Sequence, residues 1–141
     1  YGSWGRPDMA YYLFANAIVK NSPIKVYNNG DLSRDFTHID DIVIGIKSAL
    51  LSDSSTKKLY ELYNIGNNKP VVLTKFIEII EKHLDKKAIK KMLPMQDGDV
   101  KKTWASISKI EEDYNFKNSV SLDMGIKEFI SWFKTYHKIE I

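Results

Sequence analysis

Hydrophobic residues recur along most of the chain at intervals of three and four, separated by polar positions. This spacing is typical of helices with one apolar face. It predicts helices over residues 8 to about 20, 39 to about 51, 74 to about 84 and 121 to about 136, with a short one from residue 106 or 108 to about 113. Asp8, Thr74 and Ser121 are residue types that cap helix N-termini. In the second helix the pattern predicts a buried face made of Ile39, Ile42, Val43, Ile46, Ala49 and Leu50.

Three shorter stretches have the composition of strands. They cover residues 24–27, 60–65 and, more weakly, 91–94, and a polar surface loop is predicted over residues 52–58. Residues 28–31 read Asn-Asn-Gly-Asp, a cluster that turns the chain with positive backbone dihedral angles, which Gly30 adopts most readily. Because a buried strand after a helix favours a parallel sheet, the predicted fold class is α/β, mostly helices with short strands.

Composition limits the classes of protein to consider. The chain has 141 residues, of which 43% are apolar and 28% charged, enough for one ordinary domain with its own core. The net charge is +3, but the lysine pairs alternate with acidic neighbourhoods, so a solvated surface is favoured over a nucleic-acid interface. There is no cysteine, and no apolar run approaches the roughly 20 residues of a membrane helix. We therefore expect a cytoplasmic protein with neither nucleic acid nor membrane as a partner.

Several kinds of catalytic site find no support in these residues. The three histidines show no His-x-x-x-His spacing, and the absence of cysteine removes thiol chemistry. Neither a Gly-x-Gly-x-x-Gly nor a Gly-x-x-x-x-Gly-Lys phosphate loop occurs, and no Tyr-x-x-x-Lys is present. The chain alone is therefore predicted to be inactive. It begins at Tyr1 without an initiator methionine, and we expect it to be a fragment of a longer protein.

Arg34 is the residue that the local pattern singles out for binding. It follows the turn at residues 28–31 and precedes the helix that starts near Ile39. A rigidly held guanidinium beside a tight bend is suited to an anion such as a phosphate. The alternative is an ordinary surface ion pair with Asp31 or Asp35, and the pattern leaves both readings open.

Three motifs extend this observation to most of the chain. Residues 28–42 read N-N-G-x-x-x-R-D-F-T-x-I-D-D-I, residues 5–10 read G-R-P-D-M-A, and residues 92–100 read M-L-P-M-Q-x-G-D-V. Together they resemble the nucleotide-sugar epimerase and dehydratase branch of the extended short-chain dehydrogenases, and most of all the UDP-glucuronate 4-epimerases of capsule synthesis. The resemblance covers essentially all 141 residues in order.

The resemblance implies a division of labour and a set of substrate contacts. In that family an amino-terminal half with a Rossmann-type fold binds NAD and carries the catalytic tyrosine, and a carboxy-terminal half clamps the sugar nucleotide. All 141 residues would then be the second half, with the NAD-binding domain absent. By position, the implied substrate-binding residues are Arg6 for the glucuronate carboxylate, Val26 and Tyr27 for the uracil, Arg34 for the diphosphate, and Gln96 and Asp99 near the phosphates and ribose. Tyr27 could instead be a half-buried strand aromatic, and Asp99 a turn former.

The implied reaction is the interconversion of UDP-glucuronate and UDP-galacturonate through a 4-keto intermediate, with Arg6 and Arg34 pointing into one cleft. Within the family the alternatives are a UDP-N-acetylhexosamine 4-epimerase, a decarboxylase or a 4,6-dehydratase. A stand-alone nucleotide-binding or interaction module is the alternative from another class. The full-length protein is expected to be a homodimer. A fragment of this kind would expose apolar surface on the helix from Ile39 and on the strand at residues 62–65.

Overall fold

The computed structural model describes residues 1–52 and 60–139. The predicted loop over residues 52–58 lies almost entirely outside this part. The helices are α1 (Ala10–Val19), α2 (Ile39–Leu51), α3 (Leu73–Leu84), α4 (Ser108–Tyr114) and α5 (Leu122–His137); the strands are β1 (Pro23–Val26), β2 (Ser33–Arg34), β3 (Val71–Val72) and β4 (Ile89–Met92); a 3-10 turn, Tyr27–Gly30, follows β1. None of the helices described is both long enough and apolar enough to cross a membrane.

The main core lies between α1, α3 and α5, with β1 along one side. The apolar stripes of α3 and α5 face inward, as the spacing predicted. In α1 the core face is centred on Phe14 and Ile18, whereas Leu13 is 49% exposed. The fully or nearly fully buried side chains are Phe14, Ile18, Ile24, Val26, Phe76, Ile77, Ile80, Leu84, Ile126, Phe129, Ile130 and Phe133. Ser121 caps α5 as expected, because its hydroxyl accepts a hydrogen bond from the Met124 N–H at 3.2 Å.

Two small sheets position the loops above this core. β1 runs parallel to β4, with Pro23 opposite Ile89 and Val26 opposite Met92. β2 pairs antiparallel with β3, and Ser33 of β2 also forms an isolated parallel bridge with Lys102. These pairings confirm the predicted α/β class and hold the segment around Arg34 between two distant parts of the chain.

The bounds of α2 are confirmed, and so is the exposed apolar surface that the resemblance implied for this helix, but the burial of that face predicted from its spacing is wrong. Ile39, Val43, Ile46 and Leu50 are 46, 54, 55 and 77% exposed, whereas the buried residues are Asp41 and Gly45. The orientation of α2 is set by hydrogen bonds on its polar side. The Asp41 carboxylate accepts hydrogen bonds from the Ser119 N–H and hydroxyl, both at 2.8 Å, and from the Val120 N–H at 3.3 Å. That side therefore faces the body of the protein.

Three further local predictions need correction. α1 begins at Ala10 without a side-chain cap, because the Asp8 carboxylate pairs with Arg6 instead of the helix N-terminus. α3 begins at Leu73, one residue before Thr74, because β3 runs directly into it. The strand predicted over residues 60–65 is not formed, since no described strand runs beside it and a strand needs a paired neighbour. The weak strand at 91–94 is confirmed as β4, shifted towards the N-terminus.

A buried carboxylate joins α3 to β4. Glu81 is 3% exposed, and it accepts hydrogen bonds from Lys87 Nζ at 3.0 Å and the Ala88 N–H at 3.1 Å, with Lys90 Nζ at 2.8 Å. Burial by itself raises the pKa of Glu81, but the two ammonium groups and the Ala88 N–H outweigh it, so the pKa lies below its ordinary value.

We expect Glu81→Gln to lower the free energy of unfolding at pH 7 by about 1–2 kcal/mol, because it removes the charge that the lysines face. The folded pKa lies below the unfolded one, so the contribution is complete above the unfolded value and is lost as the pH falls through the folded value. The difference from the wild type should therefore shrink below about pH 4.3. Urea unfolding across this range measures it. Glu78→Gln is the control, because Glu78 makes only an exposed pair with Lys75 on the same helix; an equal effect of the two variants would contradict the prediction.

Candidate functional site

A cavity of about 590 Å³ opens between α1 and β1. Apolar side chains supply most of its wall, with polar groups at the rim. It is lined by Asp8, Ala10, Leu13, Phe14, Asn16, Ala17, Lys20, Ser22, Pro23, Ile24, Lys25, Tyr27 and Leu73. Tyr27 is half-buried at the end of β1, with its ring bordering this space. The position suits a ring that stacks on a planar ligand, and it equally fits the half-buried strand aromatic of the alternative reading.

Val26 is buried, unlike the neighbouring Tyr27. Its side chain is 1% exposed in the core, and its carbonyl accepts a hydrogen bond from the Leu93 N–H at 2.9 Å. Val26 does not line the cavity, so any contact with a ligand there falls to backbone groups near the end of β1. The side chain itself serves the fold.

The turn after β1 holds three consecutive residues in the left-handed region. The φ angles are +47° at Asn28, +50° at Asn29 and +86° at Gly30. The prediction for Gly30 is confirmed, and both asparagines share the conformation. Asn28 Nδ2 also donates to the Asp31 carbonyl at 2.7 Å, which closes the turn. The turn carries the chain from the cavity to β2 and Arg34.

Gly30 is required by space as well as by its backbone angle. A Cβ at this position would lie 2.5 Å from Thr74 Cγ2 on α3. We expect Gly30→Ala to lower the free energy of unfolding by about 1–3 kcal/mol. Gly98→Ala is the matched control, because Gly98 has φ +80° but nothing within 4 Å of the added Cβ. Thermal unfolding should show the larger loss for Gly30→Ala; a loss that does not exceed the control would show that the contact with Thr74 costs nothing.

Arg34 is held on β2 with its guanidinium about one-third exposed. Its Nη2 forms an ion pair with the Asp99 carboxylate, and its Nη1 donates to the Ser33 carbonyl at 3.0 Å. The partner is therefore neither Asp31 nor Asp35 but a residue 65 positions away. Two of the predicted site residues, Arg34 and Asp99, are brought together by this pairing.

Gln96 and Asp99 form the turn that the sequence suggested. The Asp99 N–H donates to the Gln96 carbonyl at 3.2 Å, and Gly98 between them has φ +80°. The Asp99 carboxylate also accepts the Val100 N–H at 2.8 Å. Asp99 is thus both a turn former and the partner of Arg34. The Gln96 side chain is exposed.

Arg6 lies on the surface and is paired locally. Its Nε donates to Asp8 Oδ1 at 3.0 Å and its Nη2 to Asp8 Oδ2 at 2.5 Å, with both side chains more than half exposed. Hydrogen bonding to Asp8 raises the pKa of Arg6, and hydrogen bonding to Arg6 lowers the pKa of Asp8. Asp8 lines the cavity beside Tyr27, whereas neither Arg6 nor Arg34 does.

The common cleft predicted for the two arginines is not seen among the described residues, because neither guanidinium lines the cavity and each is paired with an acid. Each guanidinium has an acidic neighbour, Asp8 for Arg6 and Asp99 for Arg34. The Arg6–Asp8 pair is exposed and contributes little stability, whereas the Arg34–Asp99 pair is only about one-third exposed. The arrangement offers two guanidinium groups for which an acidic ligand would compete, and Asp8, the partner of Arg6, also lines the apolar cavity.

Asp35 is a functional candidate for which sequence reasoning proposed only an ion pair with Arg34. Its carboxylate accepts hydrogen bonds from the N–H groups of Asn68 at 3.0 Å, Lys69 at 3.3 Å and Ala105 at 3.3 Å. It thereby joins two loops around an open cleft of about 400 Å³, lined by Asp35, Thr37, Asn64, Ile65, Gly66, Thr103, Trp104, Ala105 and Ser106. The available signal was its place between Arg34 and Phe36 in the longest motif.

His38 approaches two carboxylates. Its Nδ1 lies 3.6 Å from Asp40 Oδ2 and accepts the Asp40 N–H, and its Nε2 lies 3.9 Å from Glu128 Oε2. The three side chains are close enough to be considered as metal ligands. The carboxylates approach opposite nitrogens of the imidazole, however, and a metal ion takes only one of them, so the observed role of His38 is to cap α2.

Comparison with known proteins gives consistent results over most of the chain. Residues 9–129 match the family described as GDP-mannose 4,6 dehydratase. An uncharacterized protein of Methanocaldococcus jannaschii, MJ1055, is 52% identical over 133 residues, covering 94% of this chain and 40% of that protein. UDP-glucuronate 4-epimerase 5 of Arabidopsis thaliana is 41% identical over 150 residues, covering 97% of this chain and 34% of that protein.

A solved structure shows the same similarity in three dimensions. The crystal structure of UDP-glucuronic acid 4-epimerase from Bacillus cereus in complex with UDP-glucuronic acid and NAD has a TM-score of 0.85 and 33% sequence identity. The match covers 96% of this chain and 43% of that one. The chain thus spans less than half the length of each of these proteins.

Proposed function

The chain belongs to the GDP-mannose 4,6-dehydratase family of extended short-chain dehydrogenases, and we propose that it is the nucleotide-sugar-binding half of an NAD-dependent UDP-glucuronate 4-epimerase. The complete enzyme would interconvert UDP-glucuronate and UDP-galacturonate. The observation that carries the proposal is the continuous unit β1, turn and β2. This unit borders an apolar cavity with Tyr27 and then presents Arg34. Two matched proteins named UDP-glucuronate 4-epimerase, at 41% and 40% identity, support the epimerase reaction over other activities of the family.

The cavity beside Tyr27 is assigned to the uracil base. A planar base buries its faces against apolar side chains and the tyrosine ring, while backbone groups at the end of β1 meet its polar edge. The alternating burial of β1, with Ile24 and Val26 in the core, fixes Tyr27 at the cavity rim. Tyr27 is therefore a positioning element for the nucleotide.

Arg34 is assigned to the diphosphate. Its fork geometry matches phosphate oxygens, and two phosphates compete for it more strongly than one partly exposed carboxylate. When a diphosphate displaces Asp99, that carboxylate becomes available to accept a hydroxyl hydrogen bond from the ribose. Gln96, exposed in the same turn, would extend this polar rim. The Arg34–Asp99 pair thus holds the site ready in the absence of ligand.

Arg6 is assigned to the carboxylate of the sugar. A guanidinium binds a carboxylate through two parallel hydrogen bonds, which is the geometry it already makes with Asp8. The uronate would take the place of Asp8. This exchange distinguishes a charged sugar from a neutral one, because a neutral sugar leaves Arg6 with Asp8.

These residues do not fit the NAD site. The chain has no Gly-x-Gly-x-x-Gly fingerprint and no Tyr-x-x-x-Lys. The proposal therefore places NAD binding and the redox chemistry at C4 in residues outside these 141. The share of this chain is to bind, orient and desolvate the nucleotide sugar. A dimeric state, a cytoplasmic location and a place in capsule synthesis stay predictions.

Titration of UDP into the ¹⁵N-labelled chain, followed by NMR, tests the binding role. We expect the largest shifts at Tyr27, in the turn after it and at Arg34. Uridine should shift the residues around the cavity but leave Arg34 unchanged, because it lacks phosphate. Shifts confined to lysines scattered over the surface would contradict the assignment.

A further inference from the structure

The loop that carries Arg6 is attached to α5 by an exposed tryptophan. Trp4 is 75% exposed, yet its ring centre lies 5.3 Å from the ring centre of Trp132 and 5.3 Å from that of Tyr136. Trp132 and Tyr136 lie one turn apart on α5 and stack on each other, with ring centres 5.1 Å apart and an angle of 19° between their planes. Aromatic rings at these distances attract each other beyond the effect of the area they bury. Trp4, Trp132 and Tyr136 are hereafter called the aromatic clamp.

The backbone at Trp4 has a conformation that tryptophan seldom adopts. Its φ angle is +62°, in the left-handed region that favours glycine. A bulky residue in this region costs free energy, and it persists only where the surrounding contacts determine its conformation. The rings that Trp4 contacts are those of Trp132 and Tyr136. We therefore attribute the conformation of this loop to the aromatic clamp.

The backbone that follows Trp4 is restrained up to and beyond Arg6. Gly5 passes so close to Tyr11 that an added Cβ would overlap the Tyr11 hydroxyl group. The Arg6 carbonyl accepts a hydrogen bond from the Met9 N–H at 3.2 Å. The backbone on both sides of Arg6 is therefore fixed, although its side chain is exposed. Such a restraint reduces the conformational freedom that is lost when Arg6 binds a ligand.

We propose that Trp4 is a positioning residue for Arg6 and, through it, a determinant of selectivity for an acidic sugar. The proposal rests on the proposed function, which assigns Arg6 to the carboxylate of the sugar. The aromatic clamp fixes the backbone from which the guanidinium extends, so two parallel hydrogen bonds to the carboxylate form without reordering of the loop. A neutral sugar has no carboxylate for Arg6, so its binding does not depend on the clamp.

Calorimetric titration of the complete polypeptide with UDP-glucuronate and with UDP-glucose tests this role. Trp4→Ala should weaken the binding of UDP-glucuronate roughly ten-fold, because Arg6 must then be ordered at the expense of binding free energy. The affinity for UDP-glucose should change less than about two-fold. Trp132→Ala removes the same contact from the side of α5 and should have the same effect. Trp4→Phe keeps an aromatic ring at this position and should restore most of the preference for UDP-glucuronate.

Tyr114→Ala is the matched control for a general loss of stability. Tyr114 packs edge-on against Tyr63, with ring centres 5.1 Å apart, and this pair belongs to a separate core cluster beside α4. The variant should lower the unfolding temperature but leave the ratio of the two affinities unchanged. Hydrogen exchange of a peptide spanning residues 2–9, followed by mass spectrometry, should be faster in Trp4→Ala and Trp132→Ala than in the wild type and in Tyr114→Ala.

The outcomes separate this proposal from the proposed function. If Arg6→Ala weakens the binding of UDP-glucuronate selectively but Trp4→Ala does not, the proposed function stands and the proposal for Trp4 is overturned. The proposal is also overturned if Trp4→Ala weakens both ligands alike, because Trp4 then serves only the general fold. If Arg6→Ala changes neither affinity, the assignment of Arg6 fails, whereas faster exchange of residues 2–9 in Trp4→Ala still supports the clamp.

Discussion

Replacing Arg34 by alanine is expected to weaken the binding of UDP-glucuronate by roughly 100-fold. The guanidinium is assigned two charge-assisted contacts to the diphosphate, and their loss costs on the order of 3 kcal/mol. Arg34→Lys keeps the charge but loses the fork, so we expect roughly a ten-fold loss. Calorimetric titration of the complete polypeptide measures both constants. Uridine, which has no phosphate, should bind the wild type and Arg34→Ala equally well.

A general loss of positive charge must be separated from the loss of this contact. Lys102→Ala removes a cation from the same region, where Lys102 lies 4.8 Å from the centre of the Trp104 ring. It should change the affinity less than about three-fold, as for an exposed charge. Arg34→Ala also leaves Asp99 without its ion pair, so thermal unfolding must accompany each titration. Equal losses of affinity from Lys102→Ala and Arg34→Ala would show that Arg34 contributes only to the overall positive electrostatic potential.

Replacing Arg6 by alanine is expected to act on the sugar rather than on the nucleotide. The affinity for UDP-glucuronate should fall roughly 10- to 100-fold, because a bidentate contact to the uronate is lost. The affinity for UDP-glucose should change less than about three-fold, since its sugar has no charge for Arg6 to bind. Competition titrations with the two ligands measure this ratio directly.

Asp8→Asn supplies the complementary variant. It removes the carboxylate that occupies Arg6 in this structure, so UDP-glucuronate no longer has to displace a like-charged group. We expect equal or tighter binding of UDP-glucuronate and little change for UDP-glucose. Should Arg6→Ala weaken both ligands alike, the carboxylate assignment would be wrong. A UDP-N-acetylhexosamine epimerase or a 4,6-dehydratase would then be the better reading of the family membership.

The core helices were predictable because their signals are local. α3 and α5 carry apolar residues at regular helical spacing, and Ser121 provides a cap three residues before the N–H that it accepts. The turn after β1 was predictable for the same reason, since Gly30 and its asparagines determine the backbone angles themselves. In each case the residues that decide the structure lie within one or two turns of one another.

The face buried by α2 was not predictable from its spacing. A periodic pattern shows that a helix has an apolar side, but it does not show whether the covering partner belongs to the same 141 residues. Here two contacts set the orientation of α2: Gly45 packs against Ile65, and Asp41 accepts a hydrogen bond from Ser119. The prediction of a strand at residues 60–65 is wrong for a related reason. Residues with high strand propensity form a strand only when another strand is available to pair with them.

The candidate site was predictable in its residues but not in its pairings. The motifs placed Arg34 beside a turn and Asp99 in another, and the fold brings them into contact across 65 positions. Local reasoning offered only Asp31 and Asp35 as partners for Arg34. Asp35 is instead engaged by three backbone N–H groups from two distant loops. Such contacts follow from tertiary structure, which the spacing of charges along the chain does not specify.

The most direct test of the whole account is the reaction of the complete polypeptide with UDP-glucuronate and NAD, followed by proton NMR of the sugar anomeric signals. The account predicts that UDP-galacturonate accumulates to a constant ratio with UDP-glucuronate, and that the same ratio is reached from UDP-galacturonate. Unchanged UDP-glucuronate, or conversion to a pentose nucleotide with release of carbon dioxide, would contradict it.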